Sequence, residues 1–132
     1  MRFAYLLLFV ILSLTSFSQK KNPYPLKEIT NFGSNPGNLK MYVYSANTAK
    51  QAKKPLVVVF HGCTQNASDV ANLTGWNKLA AKNNFAVLYP QQKMVNNPQL
   101  CFSWFDNKNI EKGKGECESI YQMIKTCIEK EN

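Results

Sequence analysis

The residues best placed to do chemistry stand in one short run, Val59-Phe60-His61-Gly62-Cys63-Thr64-Gln65. It follows Leu56-Val57-Val58, so that residues 56–60 are continuously apolar and mostly β-branched, the pattern of a strand covered on both faces. The run stops abruptly at His61-Gly62. A buried strand that ends there presents backbone N–H groups at the carboxyl edge of a sheet, where α/β proteins bind ligands. Gly62 lets the chain turn sharply, and the next N–H, on Cys63, is then placed to stabilise an oxyanion. The same residues read equally well as a tight turn with a structural histidine, and the local pattern alone does not separate the two.

Other chemistries find less support. His61 is the sole histidine, and the four cysteines, Cys63, Cys101, Cys117 and Cys127, contain no Cys-x-x-Cys pair. Zinc-ribbon and thioredoxin-type sites are therefore excluded, and neither a metal nor a cofactor is expected. The formal charge of +8 comes from 16 Lys+Arg against 8 Asp+Glu, with Arg2 the only arginine. Its lysines are scattered from Lys20 to Lys130 with no run longer than two. Arginine carries most bidentate recognition of phosphates and bases, so no nucleic-acid partner is expected.

The elements that must position the turn follow from periodicity. Residues 19–37 are rich in Pro, Asn and Gly and read as an extended lead-in. Residues 39–44 alternate with period two, a half-buried strand. Ser68 is placed to cap a short helix through Leu73, and Thr74 to cap a second one carrying Trp76, Leu79 and Ala80 on one face. Residues 85–89 form another buried strand, ended by Pro90, and with residues 56–60 they make a βαβ unit of two parallel strands. A long irregular stretch, 91–109, precedes the last helix. There Cys117, Ile120, Tyr121, Ile124, Cys127 and Ile128 recur at helical spacing and predict one buried stripe, with Cys117 and Cys127 as core thiols. Ten residues apart on one helix is about 15 Å, so those two cannot bridge each other. With 132 residues, 45% of them hydrophobic and 18% charged, the chain makes one domain, 38–132, of the α/β class.

The first 18 residues read as an address. Arg2 gives a positive start, residues 3–14 are apolar apart from Ser13, and Ser16-Phe17-Ser18 puts small residues at the exit. That is the three-part pattern of a secretory signal, and its apolar run is far shorter than the ~20 residues of a spanning helix. The chain is expected to be secreted, without a stable membrane anchor.

Several motifs in order resemble one family. His61-Gly62-Cys63-Thr64-Gln65-Asn66-Ala67, Thr74-Gly75-Trp76, Leu88-Tyr89-Pro90-Gln91-Gln92, Cys101-Phe102-Ser103-Trp104-Phe105 and Lys112-Gly113-Lys114-Gly115-Glu116 are similar to the secreted poly(3-hydroxybutyrate) depolymerase and feruloyl esterase family of α/β-hydrolases. The likeness covers about residues 36–128. Ser103 stands where that family usually has Asn, and Lys112 where it usually has Arg. The resemblance implies the N-terminal portion of an α/β-hydrolase sheet, mostly parallel strands with flanking helices, with the C-terminal half missing. It implies that Cys63 supplies an oxyanion-hole N–H, that His61 and Gly62 shape the turn, and that Trp104 lies near an ester-binding cleft. It also puts Cys63 and Cys101 beside the same cleft, so that a disulfide, where one forms, joins them.

The family's Gly-x-Ser-x-Gly nucleophile elbow is absent from these 132 residues. A serine esterase needs nucleophile, base and orienting acid together. The resemblance therefore implies a carboxylic-ester hydrolase, acting on a polyester or an acylated polysaccharide, of which this chain holds one wall of the site. A different reading is a secreted, non-catalytic module that binds polymer or sugar through its aromatics. Either way, an apolar strand lacking its neighbour leaves a sheet edge open to self-association. Mass spectrometry of the exported product is expected to find a chain beginning at Gln19; an intact Met1 or Arg2 would refute the signal reading.

Overall fold

The computed structural model describes residues 22–46 and 54–131, so the signal sequence expected over 1–18 lies outside it. Among the described residues, four strands and four helices follow in the order β1 (Lys27–Ile29), β2 (Lys40–Ser45), β3 (Leu56–Val58), α1 (Ala67–Thr74), α2 (Trp76–Asn83), β4 (Ala86–Gln91), α3 (Asn107–Ile110) and α4 (Gly115–Glu131). They form one sheet of order β1-β2-β4-β3. β3 and β4 pair in parallel, Val57 opposite Val87, as the βαβ reading requires. The sheet as a whole is mixed, because β1–β2 and β2–β4 are antiparallel. β1 lies inside the lead-in, where three residues, Lys-Glu-Ile, carry no period long enough to announce a strand.

β4 is an interior strand, and its sequence says why. Bonded on both sides, it sends Leu88 to one face and Val87 and Tyr89 to the other. Leu88 joins Leu39, Met41, Val43 and Met123 under α4. Val87 and Tyr89 pack with Tyr44, Val70, Ala71 and Ala80 under α1 and α2. A strand that must be apolar on both faces cannot alternate, hence the unbroken run. β3 carries the same pattern but sits at the edge of the described sheet and is only half-buried. It also ends two residues earlier than its apolar run, although the Val59 N–H still bonds the Leu88 carbonyl at 2.9 Å. Pro90 does not end β4, which continues to Gln91 with Pro90 opposite Met41.

Neither short helix starts at its expected cap: α1 is capped two residues earlier and α2 one residue later. Asn66, not Ser68, caps α1: its side chain accepts from the Asp69 N–H, and the Asp69 carboxylate accepts from the Asn66 N–H. That reciprocal pair satisfies two N–H groups at once, which Ser68 inside the first turn could not do. Thr74 closes α1, bonding back to the Val70 carbonyl, and Gly75, at φ 71°, turns the chain into α2. A left-handed residue between two abutting helices suits glycine, which lacks the Cβ that makes the region costly.

α4 departs most from its sequence pattern. The residues turned fully inward are Glu116, Ser119, Met123 and Cys127. Of the expected stripe, Cys127 is buried, Ile120 and Ile124 are half-covered, and Cys117, Tyr121 and Ile128 are exposed. Two polar side chains set this rotation. Ser119 accepts from the Gly37 N–H at 2.8 Å while donating to the Gly115 carbonyl, and Glu116 is held as described below. Gly37 approaches so closely that a Cβ there would stand 2.6 Å from the Glu116 Cα. A hydrophobic count weighs Glu and Ser as outward residues, and so it rotates the helix the wrong way.

Tyr89 offers a pH test of the core. Its ring is wholly covered and its hydroxyl donates to Asn77 Oδ1 at 2.7 Å. Burial pushes the phenol up from 10.0 to about 12. Between those values the unfolded chain has lost the proton that the folded chain keeps, so stability falls as pH rises through that window. Tyr89→Phe is expected to flatten part of that fall. At neutral pH it should cost about 1–3 kcal/mol, because Asn77 Oδ1 loses its donor. Melting temperatures of both proteins from pH 8 to 12 check this; parallel curves would contradict it.

Candidate functional site

The carboxyl end of β3 runs directly into the turn, and the turn is held from several sides. His61 is buried. Its Nε2 accepts from the Gln92 N–H at 3.1 Å, so Nδ1 carries the proton and donates to the Gly62 carbonyl at 2.8 Å. Both ring nitrogens are thus used within the chain, and His61 has no lone pair to offer a substrate. The Gly62 carbonyl also accepts from the Gln65 N–H at 3.2 Å, while Gln65 Oε1 accepts from the Gly62 N–H at 2.8 Å.

These bonds orient one peptide plane. The Gly62 carbonyl and the Cys63 N–H belong to the same planar trans unit, so they point in opposite directions. Two donors fixing the carbonyl therefore fix the N–H as well. Among the described residues the Cys63 N–H has no hydrogen-bond partner, and Cys63 is exposed. It is a free donor of set direction. The sharp bend itself lies one residue further on: Thr64 has φ 62°, and Gly62 stays outside the left-handed region. Thr64 is steadied there by its N–H on the Gln99 carbonyl at 2.6 Å. The turn's strained position is therefore one that a search for glycine misses.

A disulfide joins Cys63 to Cys101, 38 residues apart, and ties the turn to the stretch between β4 and α3. Trp104 lies on that stretch, 77% exposed, edge-on to Phe105 at 5.7 Å. It forms part of an open groove of about 500 Å³, lined also by Phe60, Phe102, Asn109, Ile110, Glu116, Cys117 and Ile120. Phe60 meets Phe102 edge-on at 5.3 Å, and Phe102 lies 4.9 Å from the His61 ring. Trp104 and the residues flanking the turn thus share one wall, although Cys63 itself does not line the groove. Trp76, by contrast, packs on Phe85 beside the core.

Two buried polar residues that sequence reasoning left without a role organise this region. Gln92 is fully covered. Its Nε2 donates to Glu116 Oε1 at 2.6 Å and to the Cys101 carbonyl at 3.3 Å, and its Oε1 accepts from the Lys93 N–H and from Asn96 Nδ2. Glu116 Oε2 takes the Ser103 N–H at 2.9 Å. The only signal was their place in two short motifs, with nothing in the letters to say that they meet. Among the described residues, no three His, Cys, Asp or Glu side chains gather as a metal-binding group.

The family model described as Esterase PHB depolymerase matches residues 39–132. Poly(3-hydroxyalkanoate) depolymerase C of Paucimonas lemoignei is 43% identical over 115 residues, which are 87% of this chain and 26% of that protein. A probable acetylxylan esterase A of Aspergillus clavatus is 35% identical over 107 residues, 80% of this chain and 33% of that protein. Among solved structures, the acetyl xylan esterase from Aspergillus awamori superposes with a TM-score of 0.69 at 28% identity, covering 80% of this chain and 38% of its own. The sheet and its helices are accordingly part of an α/β-hydrolase fold. The chain spans about a quarter to a third of the length of the curated relatives it matches.

Cutting the disulfide should be felt throughout the domain. On the chain-entropy estimate, a bridge closing a loop of this length contributes about 4 kcal/mol. The Cys63→Ser/Cys101→Ser variant is expected to lose roughly that much in chemical denaturation; a loss below about 1 kcal/mol would show that the loop is held without it.

Proposed function

The chain belongs to the esterase PHB depolymerase family, and from that premise we propose that it is the N-terminal part of a secreted carboxylic-ester hydrolase. In this reading the Cys63 N–H is one donor of the oxyanion hole, with His61 and Gly62 as the structure of the turn. An ester carbonyl that becomes tetrahedral develops negative charge on its oxygen. A preorganised N–H aimed at that position stabilises it without reorganisation. The observation that carries the reading is the Gly62–Cys63 peptide, whose carbonyl is held by two donors while its N–H is left open.

Trp104 and the apolar groove beside it would take part of the ester substrate, a polyester or an acylated polysaccharide. Ser attack, base and orienting acid belong to residues that this chain does not contain. The complete enzyme would act by acyl transfer through serine, needing no cofactor and no nucleic acid. Export by way of residues 1–18 suits a polymer that cannot enter a cell. The outer edge of β3, unpaired among the described residues and beside exposed Phe60, would give the chain a surface for self-association.

A second reading, a secreted non-catalytic module that binds polymer or sugar, draws on the same exposed Trp104 and Phe105. Reading the transcript past codon 132 separates the two. A strand followed by Gly-x-Ser-x-Gly within a few tens of residues is the expected result, and a robust stop with a folded product would favour the module. Purified 19–132 is expected to run above monomer mass on size exclusion and to hydrolyse nitrophenyl acetate no faster than buffer. Serine-reagent-sensitive turnover by that chain would overturn the assignment of the nucleophile to residues outside it.

A further inference from the structure

Glu116 is buried although it opens the last helix, where a carboxylate could as easily face water. Taking a carboxylate out of solvent is costly unless its oxygens are met by donors. Both are met, Oε1 by Gln92 Nε2 at 2.6 Å and Oε2 by the Ser103 N–H at 2.9 Å. From Gln92 two routes lead to the Cys63 turn. One runs through the Gln92 N–H to His61 Nε2 and on from Nδ1 to the Gly62 carbonyl. The other runs through Gln92 Nε2 to the Cys101 carbonyl, and across the disulfide to Cys63. The two routes arrive on either side of the same peptide bond.

We propose that Glu116 is a positioning residue for the Cys63 N–H, acting through Gln92. The proposal rests on the oxyanion reading of Cys63 and adds to it a residue 53 positions away in sequence that touches no reacting atom. The carboxylate does what an amide could not. It offers two acceptors and no donor to two partners that are both donors, so Gln92 and Ser103 are held in a single arrangement. An amide at 116 would turn an N–H against one of them, whichever way it flipped. Gln92 would then be released at its side chain, and its grip on Cys101 with it. A role confined to anchoring α4 would affect residues near Ser103 and the helix start and leave the turn alone.

The test is amide hydrogen exchange on the full chain, secreted and oxidised, comparing the parent with Glu116→Gln, with Gln92→Ala and with the two combined. Glu116→Gln should speed exchange in peptides covering 61–65 and 99–104 about ten-fold, as expected when a buried donor loses its acceptor. Peptides covering 86–91 should stay within two-fold. Gln92→Ala removes the relay, so Glu116→Gln added to it should change exchange at 61–65 by less than about three-fold. Unchanged exchange at 61–65 in Glu116→Gln, with faster exchange only around 103–118, would overturn the proposal. Should Glu116→Gln loosen 86–91 as well, the combined variant decides: no further change at 61–65 on the Gln92→Ala background supports the coupling, and a further change of about ten-fold there refutes it. No substrate enters the measurement, so failure of the oxyanion reading in the complete enzyme would leave this result standing, and the reverse holds too.

Discussion

The hydrogen bond between Gln92 Nε2 and Glu116 Oε1 is the contact on which most of the site depends. It lies where β4 leaves the sheet, and it closes the end of that strand against the first turn of α4. Without it, the Gln92 side chain would be a buried amide short of an acceptor, and the Glu116 carboxylate a buried anion short of a donor. Each omission costs more than the bond itself contributes, because a buried group without its partner has also lost its water. The local arrangement follows: Gln92 stays under the loop, the loop stays over the groove, and α4 turns its Glu116–Ser119 face inward. That rotation brings Gly37 against the helix and so settles where the lead-in can run.

Much of the fold was legible because apolar periodicity reports burial. Residues 85–89 read as a strand covered on both faces, and the interior strand β4 spans Ala86–Gln91. The parallel pairing of β3 and β4 followed from the helix-containing connection between them. What escaped was decided by polar groups. The capping of α1 depends on Asn66 and Asp69 reaching each other, which a preference for Ser68 does not foresee. The inward face of α4 depends on partners supplied from 37, 92 and 103, far away in sequence. β1 exists because β2 offers a ladder to Lys27–Ile29, not because those three residues prefer to be extended.

The site shows the same division. His61, Gly62 and Cys63 stood out by their position at the end of an apolar strand, and Trp104 through the family resemblance. The mechanics of the turn were not visible, because they lie in hydrogen bonds that compete for one carbonyl. Thr64 rather than Gly62 takes the left-handed backbone, a conformation that a β-branched residue adopts only when its surroundings hold it. Here the Gln99 carbonyl and the adjoining disulfide do so. The turn is thus shaped by the loop that closes over it as well as by His61 and Gln65 within it.

The open side of the molecule follows from the same rotation of α4. By directing Glu116, Ser119, Met123 and Cys127 to the sheet, the helix leaves Tyr121 at 58% and Ile128 at 50% exposed. Ile110 and Phe60 remain about half exposed in the groove beside it. Fully burying one such side chain is worth about 1.5–3 kcal/mol, so covering the uncovered halves of four would contribute several kcal/mol. That is a large part of the ~5–15 kcal/mol by which a domain is stable. The apolar stripe in the sequence is therefore not the buried face of the helix, Cys127 apart. It marks a second surface on α4, next to the face that the sheet already occupies. Since, among the described residues, β3 is paired only with β4, a strand added to the sheet would extend it beside β3 and could not come between the two. With β4 covered on both faces and β3 at the edge of the described sheet, the Cys63 turn is held by its own hydrogen bonds and by the disulfide, and the groove beside it stays open.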